Sequence, residues 1–165
     1  MVDPNQRRES DIVTGPSFDE FYRDCRLTIS RALVLAIGRL DLGREAADEA
    51  FTRALERWDE VQGYDNPAGW VYRVGLNWAR TRQRRGTREV ARLFREPTYV
   101  HALPEPELLA AIERLPWAYR SVVVGRFFLD WSIEQTATAL GIPEGTVKTR
   151  QHRALDRLRR RLEKR

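Results

Sequence analysis

The chain has 165 residues, 42% hydrophobic and 32% charged, which suffices for one ordinary domain or two small ones with modest cores. With one cysteine, Cys25, and two histidines, His101 and His152, no disulfide framework, Cys/His zinc cluster or Cys–His catalytic pair can be assembled. The net charge is +5, no apolar run approaches a membrane span, and the polar Met1 to Glu9 is unlike a signal peptide, so a cytoplasmic protein without membrane insertion is expected.

Met1 to Pro16 lacks periodicity and reads as a lead, residues 1–16. Phe18, Phe21, Tyr22, Cys25 and Ile29 recur at helical spacing, continuing through Leu33, Ala36, Ile37 and Leu40. Gly43 reads as punctuation before a second helix, whose apolar side carries Ala46, Ala47, Ala50, Phe51, Ala54, Leu55 and Trp58. Val61 to Asn66 is a loop. Asn66 as N-cap and Pro67 at the first helical position open a third helix with Trp70, Val71, Val74, Leu76, Trp78 and Ala79, which loses its apolar pattern in Arg80 to Gly86. Thr87 to Glu107, broken by Pro97, Pro104 and Pro106, reads as a linker whose early part (Val90, Ala91, Leu93, Phe94) could add a helical turn or two. A helix from Leu108 to Leu115 stops at Pro116, and another runs from Tyr119 to Leu129. No strand alternation occurs. The expected fold is all-α: two small helical domains, residues 17–86 and 108–165, joined by a linker at 87–107.

The carboxyl-terminal helices carry the sharpest motif. Ser132 caps a short helix to Leu140, Gly141 supplies a turn, and Ile142 follows as a plug. Pro143, Glu144 and Gly145 open a second helix through Leu158. Ala137 permits close approach, while Ile133, Leu140, Ile142 and Val147 can seal the hinge. Lys148, Thr149, His152 and Arg153 then face outward at helical spacing, as in the recognition helix of a helix-turn-helix. An ordinary helical hairpin with a solvated basic face is the alternative; the combination of small residue, turn, plug and outward cations favours DNA binding. Charge is segregated as well. Arg73 to Arg92 holds seven arginines against Glu89, and Lys148 to Arg165 holds nine Lys or Arg against Asp156 and Glu163, whereas Asp41 to Glu60 holds seven acids and three arginines. Two phosphate-contacting surfaces and one protein-facing surface are implied.

With both domains in view, the chain resembles the bacterial extracytoplasmic-function (ECF) sigma factors, minimal members of the primary sigma family. The resemblance covers about Phe18 to Gly86 and Leu108 to Leu162. It is carried by Phe18-Asp19-Glu20-Phe21-Tyr22, Asp48-Glu49-Ala50-Phe51-Thr52-Arg53-Ala54, Asn66-Pro67-Ala68-Gly69-Trp70-Val71-Tyr72-Arg73-Val74, Leu115-Pro116 and Gly145-Thr146-Val147-Lys148-Thr149-Arg150. It implies a promoter-melting domain, a linker and a −35-reading domain, with core RNA polymerase and promoter DNA as partners. Family members are often held inactive by an anti-sigma factor, which makes one a candidate partner.

Three residue sets follow from the resemblance. Glu45, Asp48, Glu49, Phe51 and Arg53 resemble the surface that docks on core polymerase, although an acidic solvated face would share this chemistry. The family usually carries larger aliphatics where Ala46 and Ala47 stand, and Gln in place of Asp48. The loop and third helix resemble the element that captures the −10 strand. Aromatic faces and cations are what an unpaired strand needs in place of its lost stacking. Tyr64, Trp70, Tyr72 and Trp78 supply rings, of which the Trp pair must also pack. Arg73, Arg80, Arg82 and Arg84 supply charge, Asn77 a base-edge contact, and Gly63, Tyr64, Asp65 and Asn66 candidate pocket walls. In the helix-turn-helix, Lys148, Thr149, His152 and Arg153 face the −35 element. Arg153 suits a bidentate guanine contact, Arg150 and Arg157 suit phosphates, and His152 is either a base contact or a spacer. Gln151 replaces a usually apolar residue. No catalytic residue, metal ligand or cofactor site is expected, so the chain reads as a DNA-binding specificity subunit and not an enzyme. The alternative is a helix-turn-helix regulator that binds duplex DNA without acting as a sigma subunit.

Overall fold

A computed structural model of the chain describes residues 15–86 and 106–163, which are helical with no strand among them. Most of the lead and nearly all of the linker, with Val90, Ala91, Leu93 and Phe94, lie outside the described residues.

The first helix, α1 (Phe18–Ile37), starts at a capping box: the Ser17 hydroxyl accepts from Glu20 N at 3.3 Å and the Glu20 carboxylate accepts from Ser17 N at 2.8 Å. It ends before Leu40, contrary to the periodicity, because Gly38 takes a left-handed conformation (φ 74°) and its N–H bonds back to Val34 O. Helix α2 (Leu40–Glu56) therefore begins before Gly43, which is not a break. Gly43 is a contact point instead: a Cβ there would lie 2.5 Å from Val34 Cα, so the missing side chain lets α1 and α2 cross backbone to backbone. Ala46, Ala47, Ala50 and Ala54, all at most 1% exposed, keep α2 slim where it packs on α1 and α4.

Trp58 does not extend α2 but opens the short α3 (Trp58–Val61). Its indole donates to Pro16 O and its ring meets Phe18 and Phe21. Helix α4 (Pro67–Gly86) starts as expected, with Asn66 Oδ1 accepting from Gly69 N at 2.8 Å.

The second group comprises α5 (Pro106–Glu113), α6 (Trp117–Val123), α7 (Ile133–Leu140) and α8 (Glu144–Leu162). Between α6 and α7 the helix anticipated over Tyr119–Leu129 widens into a π-helical turn, Val124–Phe128, with Leu129 N bonded to Val124 O five residues back.

These two groups are packed together, and one core runs from α1, α2 and α4 into α5, α6 and α8. Arg120 of α6 is the polar anchor at the junction. It donates from Nε to Ala36 O (2.5 Å) and from one terminal nitrogen to Ile37 O (2.9 Å), the carbonyls that the end of α1 leaves unpaired. Its other nitrogen reaches Glu113 O at 2.6 Å. Burial lowers the Arg120 pKa, partly offset by the Glu113 carboxylate. A small second cluster (Val122, Ala137, Val147 with Ile133, Leu140, Ile142) seals the α7–α8 hinge, as the sequence implied.

Candidate nucleic-acid interface

The carboxyl-terminal surface is built by local signals. A capping box joins Ser132 and Gln135, fixing the start of α7: the Ser132 hydroxyl accepts from Gln135 N at 3.0 Å and Gln135 Oε1 accepts from Ser132 N at 2.8 Å. Gly141, at φ 64°, ends α7 in the left-handed region, and Pro143 leads into α8. Val147 and Ala154 are fully buried beneath α8, which turns Lys148, Thr149, His152 and Arg153 to solvent.

Thr149 donates its hydroxyl to Gly145 O at 2.9 Å. Arg150 is half-buried and lines a cleft of about 450 Å³ with Ala118, Tyr119, Thr146 and Arg153. The Arg157 guanidinium lies 5.0 Å from the centre of the Tyr119 ring. Gln151 Oε1 accepts from Arg126 Nε at 2.9 Å, and Arg126 also donates to Trp131 O. Gln151 is thus held by a cation from the π-helical turn, a pairing with no local sequence signal.

Along α4, Trp70, Arg73, Asn77 and Arg80 recur every three or four residues on one face. Arg73, Asn77 and Arg80 are exposed and Trp70 half-buried. Before the helix, Gly63, Tyr64 and Asp65 are exposed and Asn66 half-buried. A clamp holds this loop. The Tyr64 hydroxyl donates to Glu60, which also pairs with Arg57 at 2.6 Å. Arg57 lies 5.9 Å from the Trp70 ring centre, and the Tyr64 and Trp70 rings are 6.5 Å apart. Hydrogen bonds from Tyr64 and Arg57 lower the Glu60 pKa, and the same bond to Glu60 raises that of Tyr64. Neither Glu60 nor Arg57 was singled out from sequence; their i,i+3 spacing and the Tyr at i+4 were the available signal.

Two side chains sit elsewhere than expected. Tyr72 is not a strand-facing ring: it is fully buried, donates its hydroxyl to Ser121 O at 3.2 Å, and meets Trp131 edge-on at 5.5 Å. It belongs to the buried face of α4 with Val71, Gly75, Leu76 and Ala79, where burial raises its pKa. Phe51 is 4% exposed and packs on Phe21 and Tyr22, supporting the acidic surface from beneath and not forming part of it.

The rest of the acidic set does share a surface. Glu45, Asp48 and Arg53 are exposed, Glu49 is half-exposed and pairs with Arg53 at 2.7 Å, and Glu45 stands 3.9 Å from Arg82 of α4. Arg82 also lies over the half-buried Trp78 ring at 5.5 Å, so Trp78 is a packing residue with a cation on its outer face. Among the described residues no group of acids, histidines and cysteines is arranged to hold a metal, and no helix is long and apolar enough to cross a membrane.

Residues 106–158, α5 through most of α8, match the family described as Sigma-70, region 4. Over 162 residues the chain is 30% identical to an RNA polymerase sigma-E factor of Streptomyces coelicolor, spanning 88% of this chain and 85% of that protein. It is 31% identical over 126 residues to the ECF RNA polymerase sigma factor SigL of Mycobacterium tuberculosis, spanning 70% and 71%. In three dimensions it is similar to the sigma factor RpoE of Bartonella quintana, solved with the anti-sigma factor NepR, with a TM-score of 0.70 over 88% of this chain and 98% of that one. At 20% identity that likeness shows the fold.

Proposed function

The chain belongs to the ECF sigma factors of RNA polymerase, and from that premise we propose how its surfaces divide the work. As a sigma factor it binds core RNA polymerase and promoter DNA for transcription initiation. Residues 17–86 form the unit for polymerase docking and −10 recognition, and residues 108–165 the unit for −35 recognition. The protein acts in the cytoplasm as a binding subunit and not as an enzyme. Like RpoE of Bartonella quintana, it is a candidate for control by an anti-sigma factor.

Docking falls to the acids of α2, the exposed Glu45 and Asp48 and the half-exposed Glu49, with Arg53 beside them. Their charge suits a basic partner surface. Upstream recognition falls to α8: Lys148, Thr149, His152 and Arg153 meet the duplex, Arg153 is free to fork onto a guanine edge, and Arg150 and Arg157 neutralise phosphates. Because the Thr149 hydroxyl is bonded to Gly145 O, its methyl is the group offered to DNA, suited to a thymine methyl.

The single observation that carries the sigma reading over a duplex-binding regulator is the face of α4. Trp70, Arg73, Asn77 and Arg80 align a ring, cations and an amide beside the Gly63–Asn66 loop, which is the chemistry an unpaired strand requires. A protein that binds only duplex DNA has no use for it. The test is permanganate reactivity of thymines around the −10 element with core polymerase present. Tyr64→Ala and Asn77→Ala should each reduce opening while helical content stays at the wild-type level. Wild-type rate and extent of opening in both variants would withdraw α4 from strand capture.

A further inference from the structure

The Glu60 carboxylate stands beside the surface assigned to the single strand, where an acid repels phosphates. It is exposed on α3, and its ion pair with Arg57 is open to water on both sides. An exposed pair of this kind contributes little to stability. The geometry points to another use for it. The Tyr64 hydroxyl donates to Glu60 Oε1, while Arg57 donates to Glu60 Oε2 from Nε at 3.2 Å and from a terminal nitrogen at 2.6 Å. Each oxygen of one carboxylate thus holds a different partner.

Those partners lead to the two rings at the start of the strand-holding face. The Arg57 guanidinium lies 5.9 Å from the Trp70 ring centre, and Trp70 lies 6.5 Å from Tyr64 with the rings tilted by 46°. Tyr64, Glu60, Arg57 and Trp70 therefore close a circuit of contacts. Both ends of the circuit are anchored. Val61 of α3 is fully buried, the Trp58 indole donates to Pro16 O, and Glu60 N and Val61 N bond to Arg57 O at 3.0 and 2.9 Å. Trp70 sits in the first turn of α4, which Asn66 caps through Gly69 N. Between these anchors Gly63, Tyr64 and Asp65 are exposed. A ring on an exposed loop keeps its rotamer freedom unless its far end is tied, and the hydroxyl is that far end.

We propose that Glu60 and Arg57 are positioning residues for strand capture: Glu60 holds the Tyr64 ring by its hydroxyl, and Arg57 fixes Glu60 and offsets its charge, so an unpaired base meets a ring already set in place. Ordering the ring beforehand removes that cost from the capture step. The clamp acts after duplex binding, since the outward residues of α8 take no part in it. This rests on the strand-capture reading of α4 given above.

The test uses the full chain with core polymerase and a promoter carrying 2-aminopurine in place of one adenine of the −10 element, whose fluorescence rises when the base leaves the stack. Tyr64→Phe keeps the ring and removes only the tie. It should slow the rise about threefold or more, with the affinity of initial binding unchanged. Glu60→Ala should slow it likewise, although removing a negative charge beside DNA would by electrostatics alone favour binding. Glu60→Gln keeps an oxygen for the Tyr64 hydroxyl and should recover part of the rate. Tyr64→Phe added to Glu60→Ala should cost nothing more, because the two act through one bond. Helical content should match wild type, since the altered groups lie at the surface; if Glu60→Ala loses helix, Tyr64→Phe decides. A wild-type rate in Tyr64→Phe, a faster one in Glu60→Ala, or additive losses in the double variant, with Tyr64→Ala impaired, overturns the clamp and leaves the ring acting alone. A wild-type rate in Tyr64→Ala overturns strand capture by this loop, and the clamp with it.

Discussion

Replacing Gly43 with alanine probes the close crossing of α1 and α2. In an ordinary helix interior this change stabilises by about 1 kcal/mol, because alanine loses less backbone entropy on folding. At Gly43 the new methyl carbon would lie 2.5 Å from Val34 Cα, 2.7 Å from Val34 Cγ2 and 2.9 Å from Val34 N. Two of those atoms are main chain and cannot rotate away, so α1 and α2 must separate by about 1 Å to restore contact. Overpacking of this kind costs about 1–3 kcal/mol, and a gap of that width forfeits up to about half of each dispersion contact along the seam. Ala46, Ala47 and Ala50 lie on α2 in that packed core, so the cost belongs near the upper end and exceeds the propensity gain. The expected net loss is about 2 kcal/mol, or about 4–8 °C in Tm for a chain of this size. Gly145→Ala is the control, since a Cβ there meets nothing within 4 Å; it should hold or slightly raise Tm. Thermal melts followed by circular dichroism at 222 nm, with urea midpoints alongside, compare the two. A Gly43→Ala protein melting at or above wild type would refute the crossing geometry.

On the docking surface, Asp48→Arg with Glu49→Arg should weaken comigration with core polymerase without unfolding the chain, since neither carboxylate is buried; undiminished binding would remove α2 from that role. Arg153→Ala should relax base preference upstream at a cost of about 1–3 kcal/mol. Arg150→Ala should weaken binding across sequences and reduce the salt slope by about one; selection and salt titrations showing the reverse would exchange the two roles. Burial, reinforced by the Asp24 carboxylate, pushes the Cys25 thiol from an ordinary 9.0 up to about 12. Between those values the folded chain keeps a proton that the unfolded chain releases, so this thiol's contribution to stability falls as pH rises through that window. At pH 8 iodoacetamide should alkylate the native thiol far more slowly than the denatured one, and equal rates would contradict its half-buried placement.

What the sequence determined here is whatever a short stretch of chain decides by itself. Asn66-Pro67 and Ser132 start helices, and Gly141 ends one, because caps and left-handed turns are satisfied within a few residues. The outward set on α8 and the ring-and-cation face of α4 were legible for the same reason: helical period alone says which side chains share a face. The period does not say what lies opposite the buried face. Tyr72 read as a ring for DNA, and the structure turned it onto Ser121 and Trp131, 49 residues away by its hydrogen bond. Phe51 read as a docking residue and became support for the surface above it. Gly43 read as a break and became a crossing, since a glycine that ends a helix and one that admits a neighbour look alike until the neighbour is in place. Arg120 carried no signal beyond a lone cation before an apolar run. Its partners are carbonyls at the end of a helix 83 and 84 residues earlier. Main-chain carbonyls have no residue identity, so no pattern of residues announces them, and only the packing of the two units could decide where that charge would rest.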